Sequence, residues 1–263
     1  MAPYDFDAPD ADAVLRSSDG KEHRVHRLIL SLASPVFQGM FGLPQPTDPP
    51  SQLPTIDVPE SSDILQPFIQ YLYPCSPPKI SDISMWAALY VIADKYGAEV
   101  VMHPLRDMLL PRFLETSPLR VYALASYWSF DEEARIASRV TLTMDISEGF
   151  PKEDARLMGG VACQELYLLH TQRRDKARAL VTKRTYQFDG RNCSCSPMDF
   201  NVATQALSQR VSTTPWLTAE ELYKEAARAN SKACGERCRN AFGNVHAWLS
   251  SILEGVSELP QTI

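Results

Sequence analysis

The sequence predicts an α+β fold in which a small sheet is capped by helices and followed by an all-helical region. Three observations support this prediction. Short runs that alternate apolar and polar side chains fall within the first sixty residues. Apolar residues at helical spacing dominate the rest, and prolines cluster in the breaks between the runs. With 263 residues, 44% of them hydrophobic, the chain can bury the core of one large domain or two small ones.

The first two elements form a predicted hairpin. Residues from Ala13 to Ser17 alternate apolar and polar side chains, as in a half-buried strand. The next residues, 18–21, read as a turn in which Gly20 supplies the positive φ. A second strand then runs from Glu22 to Val25.

After His26 the period changes to that of a helix, with apolar residues three or four positions apart. These residues are Leu28, Ile29, Leu32 and Ala33. Ser34 followed by Pro35 predicts the start of a second helix, because serine caps helix amides and proline suits the first helical position. This second helix should carry Val36, Phe37, Met40 and Phe41.

The remaining elements follow from the same patterns. A third short strand is predicted at 55–59, after a proline-rich loop at 42–54. Further helices are predicted near 61–73, 84–96, 99–114, 117–128, 131–143, 161–186, 199–211, 218–229 and 231–254. The predicted organisation is a flexible tail at 1–10, a domain at 11–115, a helical region at 116–255 and a tail at 256–263.

Composition, charge and missing motifs argue against several classes of function. A net charge of −6 is unsuited to wrapping nucleic acid or coating an anionic membrane, and no apolar run is long enough to span a bilayer. The first residues lack the basic and apolar segments of a signal peptide, so we expect a cytoplasmic and/or nuclear protein whose cysteines stay reduced. No catalytic or phosphate-binding motif occurs. We therefore expect a protein that is not an enzyme.

Two cysteine pairs are candidate metal ligands. Cys193 and Cys195 follow a glycine turn, and Cys234 and Cys238 lie one helical turn apart, so four thiolates could hold a structural zinc ion. The alternative is that they are small buried apolar residues, since the spacing matches no common zinc finger. A disulfide ranks lower in a reducing compartment. Cys75 and Cys163 are solitary and are expected to pack in the interior.

A basic stretch lies on the long predicted helix and comprises Arg173, Arg174, Lys176, Arg178, Lys183 and Arg184. One interpretation is a nuclear signal or a nucleic-acid patch. The other is a solvated helix face opposite a buried stripe of Leu166, Leu169 and Leu180. We favour the solvated face, because the protein is acidic and no aromatic platform accompanies the charges.

Residues 12–41 carry a pattern that resembles a known family. The segments are 12–20, 25–30, Ser34-Pro35-Val36-Phe37 and Met40-Phe41, and matches continue at 56–60, 71–73 and 93–96. Together they closely resemble the BTB/POZ family over about the first 115 residues. The proline-broken loops and helical second half are similar to BTB proteins of basidiomycete fungi. The stretch 117–142 also resembles the start of the helical BACK segment.

This resemblance implies a protein-interaction module that forms a homodimer or BTB heterodimer and acts as a scaffold or adaptor. It places Asp12 and Arg27 in a charged pocket at the dimer interface, the alternative being two ordinary surface charges. It makes His26, Ser34, Pro35, Phe37, Met40 and Phe41 the family's structural motif, with His26 a hydrogen-bonded histidine at a helix start. Cullin-binding members carry a hydrophobic-x-Glu signature after Met-Phe, whereas residues 42–48 here contain no glutamate. A role as a ubiquitin-ligase adaptor is therefore doubtful, and the basic helix leaves a transcription or chromatin regulator as another alternative.

Overall fold

The structure is a computed structural model that describes residues 9–43, 53–183, 198–221, 224 and 239–263. The chain divides into two compact units, an N-terminal unit at Met1–Phe113 and a C-terminal unit at Leu114–Ile263. The predicted fold class is confirmed, because the N-terminal unit combines a small sheet with helices and the described elements of the C-terminal unit are helical.

The sheet has three strands in the order β2-β1-β3. Strand β1 (Ala13–Arg16) pairs antiparallel with β2 (Glu22–Val25) and parallel with β3 (Thr55–Asp57). The predicted hairpin forms, and Gly20 at its turn has a φ of 80°. The third strand is shorter than predicted and ends at Asp57, although the amide of Val58 still donates to the carbonyl of Arg16.

Five helices surround this sheet, and all of them lie close to their predicted positions. They are α1 (Arg27–Ala33), α2 (Pro35–Gly42), α3 (Ser62–Leu72), α4 (Ile83–Lys95) and α5 (Glu99–Phe113). An aromatic stack fills the space between them. The ring of Phe37 lies 4.5 Å from that of Tyr96 and 6.2 Å from that of Phe41, and Phe68 covers Tyr96 at 5.7 Å. Such stacking adds to the free energy of burying the rings.

The end of α4 shows why glycine follows it. Gly97 has a φ of 62°, a conformation that side chains rarely adopt, and a Cβ there would lie 3.2 Å from Cγ of Pro35. The first turn of α2 therefore packs directly on the turn after α4.

The C-terminal unit contains five described helices. They are α6 (Pro118–Tyr127), α7 (Asp131–Thr141), α8 (Lys152–Lys183), α9 (Met198–Thr213) and α10 (Arg239–Ser257). Helix α8 is interrupted at Gly159, which has a φ of 70°. The helix predicted from 161 is therefore the longer portion after this break, and the shorter portion before it was not predicted. Helices α8, α9 and α10 share an apolar core that includes Ala177, Val181, Leu207, Val211, Trp248 and Ile252.

In the described part of the basic stretch on α8, which excludes the side chain of Lys183 and all of Arg184, one residue differs from its prediction. Leu166 and Leu169 are buried and Leu180 is partly buried, in agreement with the predicted stripe, but Arg173 is only 1% exposed. It belongs neither to a solvated face nor to a surface that can contact nucleic acid. The carbonyl groups that it binds come from distant parts of the sequence, so the local charge pattern gave no sign of its burial.

The segment 256–263, which was predicted to be a tail, makes contacts with the rest of its unit. Helix α10 continues to Ser257, and Val256 is buried. The amide of Ile263 lies 3.3 Å from Oγ of Ser138, to which it donates a hydrogen bond. Among the described helices, none combines the length and the apolarity that a bilayer span requires.

Candidate protein interaction site

Helices α1 and α2 and the residue that follows α2 expose apolar side chains. We call these side chains the α1–α2 face and define it by Leu28, Leu32, Val36 and Leu43. Leu28 is 70% exposed, Leu32 80% and Leu43 65%, while Val36 is exposed to a smaller degree. Leu28 and Leu32 lie one helical turn apart and so share a side of α1. Leu30 is the buried residue of that helix. The helical spacing of the apolar residues predicted α1 correctly, but it did not show which of them would face solvent.

The start of α1 is held by His26 and Tyr73. His26 is the N-cap residue but makes no side-chain cap bond of its own. Its backbone amide donates to the hydroxyl of Tyr73 at 2.7 Å, and its Nδ1 lies 3.0 Å from the same oxygen. Because the hydroxyl accepts from the amide, its proton can point to Nδ1. This geometry suits the structural role expected for His26.

Asp12 and Arg27 lie next to each other at the same helix start. The Oδ1 of Asp12 accepts a hydrogen bond from the backbone amide of Arg27 at 2.7 Å, so an exposed carboxylate on the strand side caps α1. The guanidinium of Arg27 donates to the carbonyl of Phe41 at 2.8 Å and lies 5.2 Å from the centre of its ring. The two residues thus bind opposite helix ends, Asp12 the start of α1 and Arg27 the last turn of α2. Their role in a dimer pocket stays a prediction.

The other residues of the family motif form the interior next to this face. Oγ of Ser34 accepts from the amide of Phe37 at 3.1 Å, as predicted for an N-cap, and donates to the carbonyl of Tyr96 at 2.5 Å. Phe37 and Phe41 are buried, Met40 is half-buried, and Pro35 occupies the first position of α2. The motif therefore fixes the position of α2 against α4.

Two contacts of the N-terminal unit were missed from the sequence. Asp19, in the hairpin turn, accepts hydrogen bonds from the amide of Ser62 at 2.9 Å and from its hydroxyl at 2.6 Å, and so caps α3. Hydrogen bonds with the hydroxyls of Ser17 and Ser62 hold the pKa of Asp19 well below its usual range. Glu60 accepts from the hydroxyl of Tyr96 at 2.9 Å, and burial together with this bond raises the pKa of the tyrosine. Both contacts join residues more than 30 positions apart, which local patterns do not reveal.

The predicted metal site falls outside the described residues, since Cys193, Cys195, Cys234 and Cys238 all lie in segments that the structure does not describe. The zinc hypothesis therefore stays a prediction. Within the described ranges, no three His, Cys, Asp or Glu side chains are grouped to hold a metal ion. Cys75 and Cys163 are half-buried thiols, and burial raises the pKa of each. Residues 44–48, which form most of the loop that contains no glutamate, also lie outside the described part of the chain.

Comparison with known proteins adds one finding to this geometry. Residues 8–111 match the model of the BTB/POZ domain family, and no curated protein gives a significant match to the chain. The matched range covers the sheet and nearly all of the five helices of the N-terminal unit. BTB domains are protein-interaction modules and often mediate dimerisation. Residues 8–111 of this chain are therefore a BTB/POZ domain.

Proposed function

We propose that the protein is a scaffold or adaptor that self-associates through the α1–α2 face. The observation that carries this proposal is the exposure of Leu28 and Leu32, two large apolar side chains on the same side of a short helix. Burying one leucine side chain contributes about 1.5–3 kcal/mol, so a two-fold contact that covers both leucines on each copy has ample driving force.

The charged residues next to the α1–α2 face can fix the orientation of two copies in a dimer. Asp12 caps α1 and Arg27 binds the end of α2, so the charged pair borders the helices that carry the exposed leucines. In a two-fold dimer each copy would bring the same pair to the interface, in agreement with the pocket that the family resemblance implies. Double substitution of Asp12→Asn and Arg27→Gln is expected to weaken self-association.

The test is the oligomeric state of the full chain. Leu28→Glu with Leu32→Glu should weaken dimerisation by about a hundredfold or more, because losing about 3 kcal/mol of apolar burial costs two decades in affinity. Sedimentation equilibrium across the micromolar range measures the effect. The matched control is Val91→Glu with Val100→Glu, which places two charges on valines that are 54% and 53% exposed elsewhere in the same unit.

A dimer that both double variants leave intact would show that another surface mediates association. A wild-type chain that remains monomeric to high micromolar concentration would refute the proposal. Circular dichroism of each variant checks that the helices persist, which the exposure of all four positions leads us to expect.

Two other roles have less support. Burial removes Arg173 from any nucleic-acid surface on α8, which weakens the proposal of a chromatin or transcription regulator.

The absence of glutamate at 42–48 leads us to expect weak or no cullin binding. A pull-down with a purified cullin N-terminal region tests this expectation, and stoichiometric capture at low micromolar concentration would contradict it. The similarity to basidiomycete proteins stays a prediction.

A further inference from the structure

The three-stranded sheet of the N-terminal unit has β2 at one end, with β1 as its neighbour on one side. We call the other side of this strand the β2 edge and define it by Glu22 and Arg24. Both side chains are exposed, and that of Glu22 is 55% accessible to solvent. The N–H and C=O groups along a sheet edge can form hydrogen bonds with a further strand, so the β2 edge is a candidate binding surface.

The register of the sheet shows which backbone groups of β2 point outward. The carbonyl of Arg16 accepts a hydrogen bond from the amide of Val58 at 2.8 Å, so the backbone groups of Arg16 face β3 and not β2. Glu22 lies opposite Arg16, and Arg24 lies opposite Val14, two positions along. Bonded and non-bonded pairs alternate along an antiparallel ladder, and the residues of a non-bonded pair turn their backbone groups away from each other. The N–H and C=O groups of Glu22 and Arg24 therefore point away from β1.

A second copy of β2 can use all of these groups in one antiparallel register, centred on His23. In this register Glu22 lies opposite Arg24 of the second copy, and Arg24 lies opposite Glu22 of the second copy. Each of these pairs can exchange two backbone hydrogen bonds. The neighbouring registers that keep outward-facing residues opposite each other set Glu22 against itself or Arg24 against itself. Like charges directly opposite each other are destabilising, so the register centred on His23 is favoured.

The side chains of the β2 edge are able to form the new charge pairs. Arg16 donates from Nε at 3.1 Å and from Nη2 at 3.0 Å to the same oxygen of Glu22, Oε1, so Oε2 can accept from a second copy. Arg24 is exposed, and none of the ion pairs among the described residues involves it. Charges on an edge strand usually prevent pairing, but here antiparallel pairing of two copies brings opposite charges together.

We propose that the β2 edge is a second self-association surface, at which the sheets of two copies join antiparallel about His23. A second copy is the occupant because its own strand supplies the charge pattern that matches the edge. A strand of four residues with exposed charge pairs contributes little binding energy, so we expect a Kd of about 0.1–1 mM. The contact does not depend on the α1–α2 face. Where both surfaces bind, they link dimers into larger assemblies.

Sedimentation equilibrium of the full chain with Leu28→Glu and Leu32→Glu isolates the β2 edge, because these changes disable the α1–α2 face. This parent chain should dimerise between about 0.1 and 1 mM. Adding Arg24→Glu should weaken dimerisation about tenfold or more, since carboxylates then oppose each other, and adding Glu22→Arg instead should do the same with guanidinium groups. An equimolar mixture of these two variants should recover the affinity of the parent to within about threefold, because every opposed pair again joins opposite charges.

Two further variants separate the edge from general charge effects. Arg178→Glu makes the same charge change on exposed α8 and should alter the affinity by less than about twofold. Arg24→Pro removes an outward amide, which edge strands tolerate, and should weaken dimerisation without changing the circular dichroism spectrum. A parent chain that stays monomeric to about 1 mM would overturn the proposal in favour of a strand from another protein. Equal effects of Arg24→Glu and Arg178→Glu, or no recovery in a mixture of folded variants, would also overturn it.

Discussion

Charged side chains satisfy free backbone groups at helix ends in both units, but the surroundings of these charges differ. In the N-terminal unit, the carboxylates of Asp12 and Asp19 accept hydrogen bonds from the amides that begin α1 and α3. In the C-terminal unit, the guanidinium of Arg173 donates to the carbonyl of Val256 in the last turn of α10. Both arrangements suit the helix dipole, which is positive at the start and negative at the end of a helix. Backbone groups at helix ends need hydrogen-bond partners. To meet this need, the N-terminal unit depends on exposed acids at two helix starts and the C-terminal unit on a buried cation at a helix end.

Arg173 makes four hydrogen bonds to backbone carbonyls. It donates to Pro215 at 3.0 Å, to Val256 at 3.0 Å, to Leu259 at 3.0 Å and to Pro260 at 2.9 Å. Burial, followed by the neighbouring charge of Arg139, lowers its pKa, but each of its three nitrogens donates, and four of the five N–H groups are used. A buried charge is tolerated when its donors are satisfied in this way.

The largest effect is therefore expected from Arg173→Met. The change leaves buried carbonyls without donors, and we expect it to destabilise the C-terminal unit by about 3–5 kcal/mol. Urea unfolding followed by tryptophan fluorescence, with hydrogen exchange to assign the loss to residues 114–263, measures it. Arg178→Met is the control, since Arg178 is exposed on the same helix and should change stability by less than about 0.5 kcal/mol. A loss below about 1 kcal/mol for Arg173→Met would mean that these four bonds contribute little.

The second prediction concerns pH and His170. Thr141 donates its hydroxyl proton to the carbonyl of Ser138 at 2.6 Å, so Nε2–H of His170 donates to Thr141 at 3.0 Å and Nδ1 is unprotonated. Burial, with a smaller effect of Arg174, lowers the pKa from 6.5 to about 4. The unfolded chain therefore binds this proton more readily than the folded one. Stability of the C-terminal unit should be full above pH 6.5 and fall by about 3 kcal/mol as the pH drops to about 4.

His170→Gln should flatten this pH dependence in the C-terminal unit, because glutamine does not titrate. Hydrogen exchange at pH 7 and pH 5 separates the units, which matters because burial also lowers the pKa of His23 in the N-terminal unit, where Nε2 lacks a hydrogen-bond partner. The N-terminal unit should keep its own pH dependence in the variant. An unchanged slope in residues 114–263 would assign the acid sensitivity to another group.

The smallest expected effect is that of Asp19→Ala. Loss of this cap should destabilise the N-terminal unit slightly, because the amide and the hydroxyl of Ser62 lose their acceptor. The pKa of Asp19 is lowered, so its contribution is present above the ordinary value of 3.8 and is lost as the pH falls further below it. Urea unfolding at pH 7 measures the loss, with Asp107→Ala, on the exposed side of α5, as the control. Equal effects of both variants would show that the Asp19 cap makes no specific contribution.

The sequence predicted features that depend on neighbours along the chain. The turn of the hairpin, the cap at Ser34 and the first turn at Pro35 involve residues within four positions of one another, so local patterns were sufficient. Family resemblance extended this prediction to the whole N-terminal unit. The exposure of Leu28 and Leu32 was not predicted, because apolar spacing specifies a helix without specifying what covers it.

Long-range contacts explain the remaining differences. Asp19 reaches Ser62 across 43 positions, and Arg173 reaches Pro260 across 87. A charge run on a helix normally predicts solvent exposure, and nothing near Arg173 in the sequence indicates that carbonyl groups will surround it. The portion of α8 before Gly159 was also missed, since the predicted helix begins at 161, after the break.

The position of Arg173 in the sequence also sets an order of events during synthesis. All its carbonyl partners follow it, by 42 to 87 residues. Until residues 256–260 have left the ribosome, the guanidinium has only water and Pro215 to bind, and α8 lacks α10, the partner that completes its core. The BTB/POZ domain lies within the compact unit of the first 113 residues and can form much earlier. The domain that recognises partners can thus be folded, and its α1–α2 face available, while the C-terminal unit is still being completed.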